Sequence, residues 1–201
     1  MRASLADQDQ GRTQRLAAAV SQALVRDSTL AIALGANLPS HAGSPVDTLM
    51  AVRPLLEGAL QQWLLQQRLE AAPSGERLRA LQFHWSPLLE TAPVGGPEGQ
   101  NNYVNGALLV EGCGPPQPGC ALELLQALQQ LETSFGRRPL AERERWGPRS
   151  LDLDWLWWGE LDLNLPATAA TPALQLPHPL WQQRLFVLEP LMALITLTRG
   201  G

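Results

Sequence analysis

The stretch Arg145-Trp-Gly-Pro-Arg-Ser-Leu-Asp-Leu-Asp-Trp-Leu-Trp-Trp158 constrains the fold more than any other part of this chain. Successive side chains of a strand point to opposite faces. Leu151, Leu153 and Trp155 therefore turn toward a core, and Asp152 and Asp154 share the other face, about 7 Å apart along the strand. Two carboxylates so close repel unless a cation lies between them. Magnesium suits such a pair, because it takes a few carboxylates and keeps positions for water and phosphate. A solvated strand face carrying two ordinary aspartates is the plainer alternative. Removal of either carboxylate from the exposed face is expected to leave the fold intact and to relieve repulsion.

What precedes this strand favours phosphate chemistry. Arg137, Arg138, Arg143, Arg145 and Arg149 crowd one loop, and the 15 basic residues of the chain include no lysine. Metal-bearing carboxylates beside a fork of guanidiniums suit a polyphosphate, since arginine takes the remaining charge through bidentate bonds. A solvated loop pairing with Glu142 and Glu144 is the alternative. The missing lysine excludes a Walker-type phosphate loop and a Schiff base.

The rest of the 201 residues reads as one domain. Residues 28–199 form the domain, after an N-terminal extension over 1–27 that is flexible or a loose helix from Arg12 to Arg26. Thr29–Leu34 reads as a buried strand ending at Gly35. A helical pattern opens at Pro45, with Leu49, Val52, Leu56, Leu60 and Leu64 on one stripe, and Pro54 kinks or restarts it. Residues 66–79 form a polar loop or helix extension that looks inserted. Leu81–Trp85 and Tyr103–Val110 read as strands, with Leu88–Thr91 following the first after Ser86-Pro87, and Ala121–Phe135 reads as an amphipathic helix stopped by Gly136. A last helix runs from about Leu180 to Leu194. The order predicts an α+β ferredoxin-like sandwich: an antiparallel sheet with a βαββαβ core plus a C-terminal helix.

A second set of residues suits a flat heteroaromatic ligand. Tyr103 and Asn105 share a strand face, and Phe186 lies in the last helix beyond His178. Aromatic faces stack such a ring and amides read its edge. Core packing of the rings, a buried hydrogen bond at Asn105 and a turn role for His178 stay open, as does a core plug for Trp146.

These residues carry a resemblance to the 6-hydroxymethyl-7,8-dihydropterin pyrophosphokinase family of folate biosynthesis. It rests on Ala31–Asn37, Glu90–Gly95, Gln100 through Tyr103 to Asn105, Leu131-Glu132 with Gly136-Arg137, Arg145–Asp154, and Leu176–His178 through Arg184 and Phe186. The resemblance implies diphosphate transfer from ATP to the pterin hydroxymethyl group, with release of AMP. It implies two magnesium ions on Asp152 and Asp154. Glu132, Arg137, Arg149, His178 and Arg184 would contact ATP. The pterin would lie between Tyr103 and Phe186, with Asn105, Thr91 and Val94 at its edge and Trp146 sealing it. Arg145, Arg149, Asp152, Asp154 and His178 would serve the reaction. The arginine loop departs from the family pattern in length, which leaves open whether Arg138 or Arg143 is its inner basic residue.

A nucleic-acid-binding module on the same scaffold and a two-metal nuclease are the competing readings. A net charge of −4 and the paired aspartates speak against the first. Cys113 and Cys120 are too few for a four-ligand cysteine site and read as thiols of a reducing compartment, with a small loop staple as the alternative. With no long apolar run and no signal-like start, the chain reads as a cytoplasmic monomer that binds small molecules, neither nucleic acid nor membrane.

Overall fold

A computed structural model describes residues 5–71, 80–168 and 171–199. The central strand β1 (Thr29–Ala36) pairs antiparallel with β4 (Tyr103–Glu111) on one side and β5 (Asp152–Trp158) on the other. The far edge of β4 takes β2 (Gln82–Trp85), the expected strand, and then β3 (Leu89–Thr91), a short strand beyond it, and the two form one edge broken at Ser86-Pro87. Ser86 bridges the break, its hydroxyl accepting the Ala107 N–H at 2.9 Å. The order β2-β4-β1-β5 places each helical crossover over one intervening antiparallel strand, which is the ferredoxin-like arrangement.

Helices α2 (Pro45–Ala71) and α3 (Ala121–Ser134) cover one face. The stripe Leu49, Val52, Leu56 and Leu60 is fully buried against Leu30, Ile32 and Leu108. Ser44 caps α2, exchanging hydrogen bonds with Asp47 in a capping-box manner. Pro54 interrupts nothing: it sits on the solvent side, where a lost N–H costs least, and the buried stripe carries the helix through to Ala71. That accounts for the start of the polar stretch as helix extension; residues 72–79 lie outside the described residues.

The opposite face is also covered. Helix α4 (Leu185–Arg199) packs there with α1 (Leu5–Leu24), around Ala31, Ala33, Ala107 and Leu109. Residues 5–24, expected to be flexible or a loose helix, thus form a docked helix with Ala17, Val20, Ala23 and Leu24 buried. A short hairpin, β6 (Leu163–Leu165) with β7 (Leu174–Leu176), follows β5 and has no counterpart in the sequence reading.

Strand β5 serves both layers through a bulge. Trp155 pairs with Ile32 and Trp157 with Ala31, which leaves Leu156 as the extra residue. Leu153, Trp155 and Trp158 enter the α2/α3 core, while Leu156 and Trp157 enter the α1/α4 core.

Candidate active site

Asp152 lies opposite Gly35 and Asp154 opposite Ala33, small neighbours that leave the carboxylates room on the α4 face. Asp152 accepts Arg137 Nη1 at 2.8 Å on one oxygen and Arg149 Nη1 at 2.6 Å on the other. Burial opposes its charge, but Arg149 and Arg137 outweigh burial and hold it below the usual carboxylate range. Asp154 has one longer contact, to Arg184 Nη1 at 3.3 Å. Burial and the neighbouring Asp152 charge push it up to about 6. Behind both, buried Glu132 accepts the Leu153 N–H at 2.9 Å and meets Arg143 at 3.3 Å. Burial and Asp152 push Glu132 up to about 7.

Two cavities meet at this cluster. The first, about 300 Å³, opens on the α4 side and is lined by Thr91, Val94, Tyr103, Asn105, Trp146 and Phe186 among others. Every residue expected around a flat ring is therefore brought to one cavity. Asn105 is buried and donates to Thr91 Oγ1 at 2.8 Å. The second, about 280 Å³, lies between α3, β5 and the segment before β7, with Glu132, Arg137, Arg143 and His178 in its wall. Arg149, Asp152 and Asp154 line both.

Burial and the Arg184 charge push His178 down to about 4, so its ring is neutral at pH 7. Its Nδ1 accepts the Leu180 N–H at 3.2 Å, which leaves Nε2 as the donor.

Two arginines stand elsewhere than expected. Arg184, grouped with the ATP contacts, lines the first cavity and lies 5.6 Å over the Phe186 ring. Arg145 lines neither cavity; its guanidinium stacks 4.4 Å over Trp146. Of Arg138 and Arg143, Arg143 lines the second cavity, and its Nε donates to the Arg138 carbonyl at 2.9 Å.

The sequence reading singled out neither Asn37 nor Gln100. Asn37, fully buried, accepts the Arg149 N–H at 2.7 Å and donates to the Asn101 carbonyl at 3.2 Å. Gln100 donates to the Gly95 and Trp146 carbonyls at 3.2 and 3.1 Å and accepts the Tyr103 hydroxyl at 3.3 Å. It thereby clamps the arginine loop to the 92–102 loop. Trp146 needs the clamp. Among the described residues it is the one non-glycine with positive φ, at 57°, a backbone region costly for a bulky side chain. The close seat excludes a side chain at Gly96, whose Cβ would collide with the Trp146 carbonyl oxygen. The available sequence signal was the run Gln100 to Asn105 itself.

Residues 31–196 match the description of the 7,8-dihydro-6-hydroxymethylpterin-pyrophosphokinase family. The chain belongs to this family. Among curated relatives, the 2-amino-4-hydroxy-6-hydroxymethyldihydropteridine pyrophosphokinase of Pseudomonas aeruginosa is 44% identical over 107 residues, 53% of this chain and 56% of the relative. Those of Synechocystis sp. and Bacillus subtilis are 43% and 38% identical, over 39% and 53% of this chain and 42% and 54% of theirs. The chain spans about half the length of the curated relatives it matches. Within the pyrophosphokinase family match lie both cavities and the whole of the acid–arginine cluster.

The aspartates fit a hard divalent cation. They offer carboxylate oxygens on one strand face, and Asp154 is opposed by a like charge that a cation would relieve. Among the described residues no group of three or more His, Cys, Asp or Glu gathers around a common point. The remaining ligands would then be water and phosphate oxygens, as magnesium prefers.

Proposed function

We propose that the chain transfers diphosphate from ATP to 6-hydroxymethyl-7,8-dihydropterin in folate biosynthesis, releasing AMP. The observation that carries this reading is the meeting of two cavities at Arg149, Asp152 and Asp154. A bisubstrate transfer needs such a wall, because the acceptor and the nucleotide must present their reacting ends to one point.

The pterin occupies the first cavity, its ring between Tyr103 and Phe186 and its edge at Asn105, Thr91 and Val94. The nucleotide occupies the second, beside Glu132, Arg137, Arg143 and His178. The pterin hydroxyl oxygen forms a bond to the β-phosphorus, and its proton passes to solvent. The bond from that phosphorus to the bridging oxygen breaks, and the oxygen leaves with AMP. Magnesium held by Asp152 and Asp154 would supply charge neutralisation on the polyphosphate oxygens. Arg149 and Arg137, now paired to Asp152, turn part of their donor capacity to phosphate when the carboxylates hold metal. Trp146 and the clamped loop keep water from the β-phosphorus. Neutral His178 offers Nε2–H without adding charge.

No described helix is long and apolar enough to cross a membrane. Incubation with ATP, magnesium and the pterin alcohol tests the reading. AMP formed only when the pterin is present is the expected result; AMP or ADP formed equally without it overturns it.

A further inference from the structure

Helix α1 ends before the matched family stretch begins at residue 31, so the family places no function on it. We infer that α1 is a positioning element for the first cavity, holding the segment from Leu180 to Phe186 so that Arg184 and Phe186 face the aspartates and Tyr103. That the cavity's ligand is a pterin rests on the proposed function; the bracing rests on contacts alone.

Helix α1 packs chiefly on α4 and on the single 3₁₀ turn Trp181–Gln183 that leads into it. That turn has two working sides. Leu180 and Gln183, three apart and so on one edge, line the first cavity. Gln182, on another edge, donates to Ser21 Oγ of α1 at 3.3 Å. A shift of α1 is therefore transmitted to the cavity wall through one turn of backbone. One α1-to-α4 tie lies further along, where Arg12 meets Glu189 at 2.6 Å.

The C-terminal end of α1 is pinned as well. The buried Thr29 hydroxyl donates to the Leu24 carbonyl at 2.8 Å and accepts Trp157 Nε1 at 3.3 Å. Trp157 in turn packs on Trp181, with ring centroids 5.1 Å apart. A continuous path thus runs from the end of α1, through Thr29 and Trp157, to the turn before Arg184. Val20, fully buried, belongs to the same apolar cluster as Val187, Leu188 and Leu191 of α4.

The test uses the full chain with Val20→Asp, which unseats α1, and a milder double variant, Arg12→Ala with Ser21→Ala, which keeps the core intact should the first not fold. Affinity for the pterin alcohol and for the magnesium complex of a non-hydrolysable ATP analogue is measured by calorimetry, and backbone hydrogen exchange is followed over residues 180–188. The expected result is faster exchange there and pterin affinity lowered by about tenfold in Val20→Asp, since small misplacements of contact groups are costly, with nucleotide affinity changed less than about twofold. Fast exchange in α1 with 180–188 still protected, or equal loss of both ligands, overturns the inference. If the parent protein binds no pterin, the proposed function fails by itself, and the exchange comparison alone decides the brace.

Discussion

Asp152 and Asp154 look alike in sequence and sit on one strand face, yet their surroundings set them in opposite energetic positions. Asp152 is satisfied by Arg137 and Arg149 and held low. Asp154, a third exposed, is pushed up to about 6. An acid with a raised folded pKa binds more protons in the native state, so its contribution to stability falls as pH rises through 6. Glu132, near 7, acts in the same direction, and Asp152 in the reverse, its contribution being lost as pH falls through its lowered pKa. In metal-free protein at pH 7.5, Asp154→Asn is expected to raise the melting temperature, with the gain fading below pH 5. Asp152→Asn is expected to lower stability by about 2–3 kcal/mol, because it leaves two partly buried guanidiniums without their charge partner. Calorimetric melting at both pH values separates the two. This corrects the expectation that either removal would relieve repulsion. Both variants should lose at least about a hundredfold in AMP formation. Tyr103→Ala and Phe186→Ala should each weaken pterin binding well beyond any effect on nucleotide binding, since stacking adds about 0.5–1.5 kcal/mol to the lost burial. Unchanged pterin affinity in both would return the rings to the core.

Among the elements, the arginine loop shows what sequence could and could not convey. Its composition marks it as a phosphate-facing segment, but which guanidinium points inward depends on contacts made across the fold. Arg143 reaches Glu132 on α3, and Arg145 is drawn onto the Trp146 ring. The role of Gln100 is hidden for a similar reason: an amide in a polar loop has no periodicity to announce its partners Gly95, Tyr103 and Trp146. Gln100→Ala should release Trp146 from its left-handed backbone, speed hydrogen exchange over 137–148 and lower pterin affinity about tenfold. Unchanged protection there would mean the loop holds without the clamp. The sheet and the two crossover helices were legible because alternation and the 3.6-residue stripe survive in long elements. The β6–β7 hairpin was not, with three residues per strand giving alternation nothing to repeat. Helix α1 reads as loose because half of its buried stripe is alanine; its docking depends on the strongly apolar α4 that receives it.

Across the whole molecule, three layers meet at β5, whose first half carries the aspartates and whose second half carries tryptophans for both cores. The bulge between the halves makes tolerance of length changes uneven along this strand. Because Trp155 and Trp157 already pair with adjacent residues of β1, deleting Leu156 would join two correctly facing halves and disturb neither register. Its cost is the buried leucine side chain, about 2–5 kcal/mol. Deleting Leu153 instead would send one aspartate into the α2/α3 core and so unfold the chain. Denaturant melts of the two deletions should therefore show a weakened but cooperative transition for the first and none for the second; matching curves would mean the halves are not independent. Insertions and deletions that alter the tryptophan half can thus accumulate at the bulge while the carboxylates keep their face, giving this strand one place where its length can change without touching its chemistry.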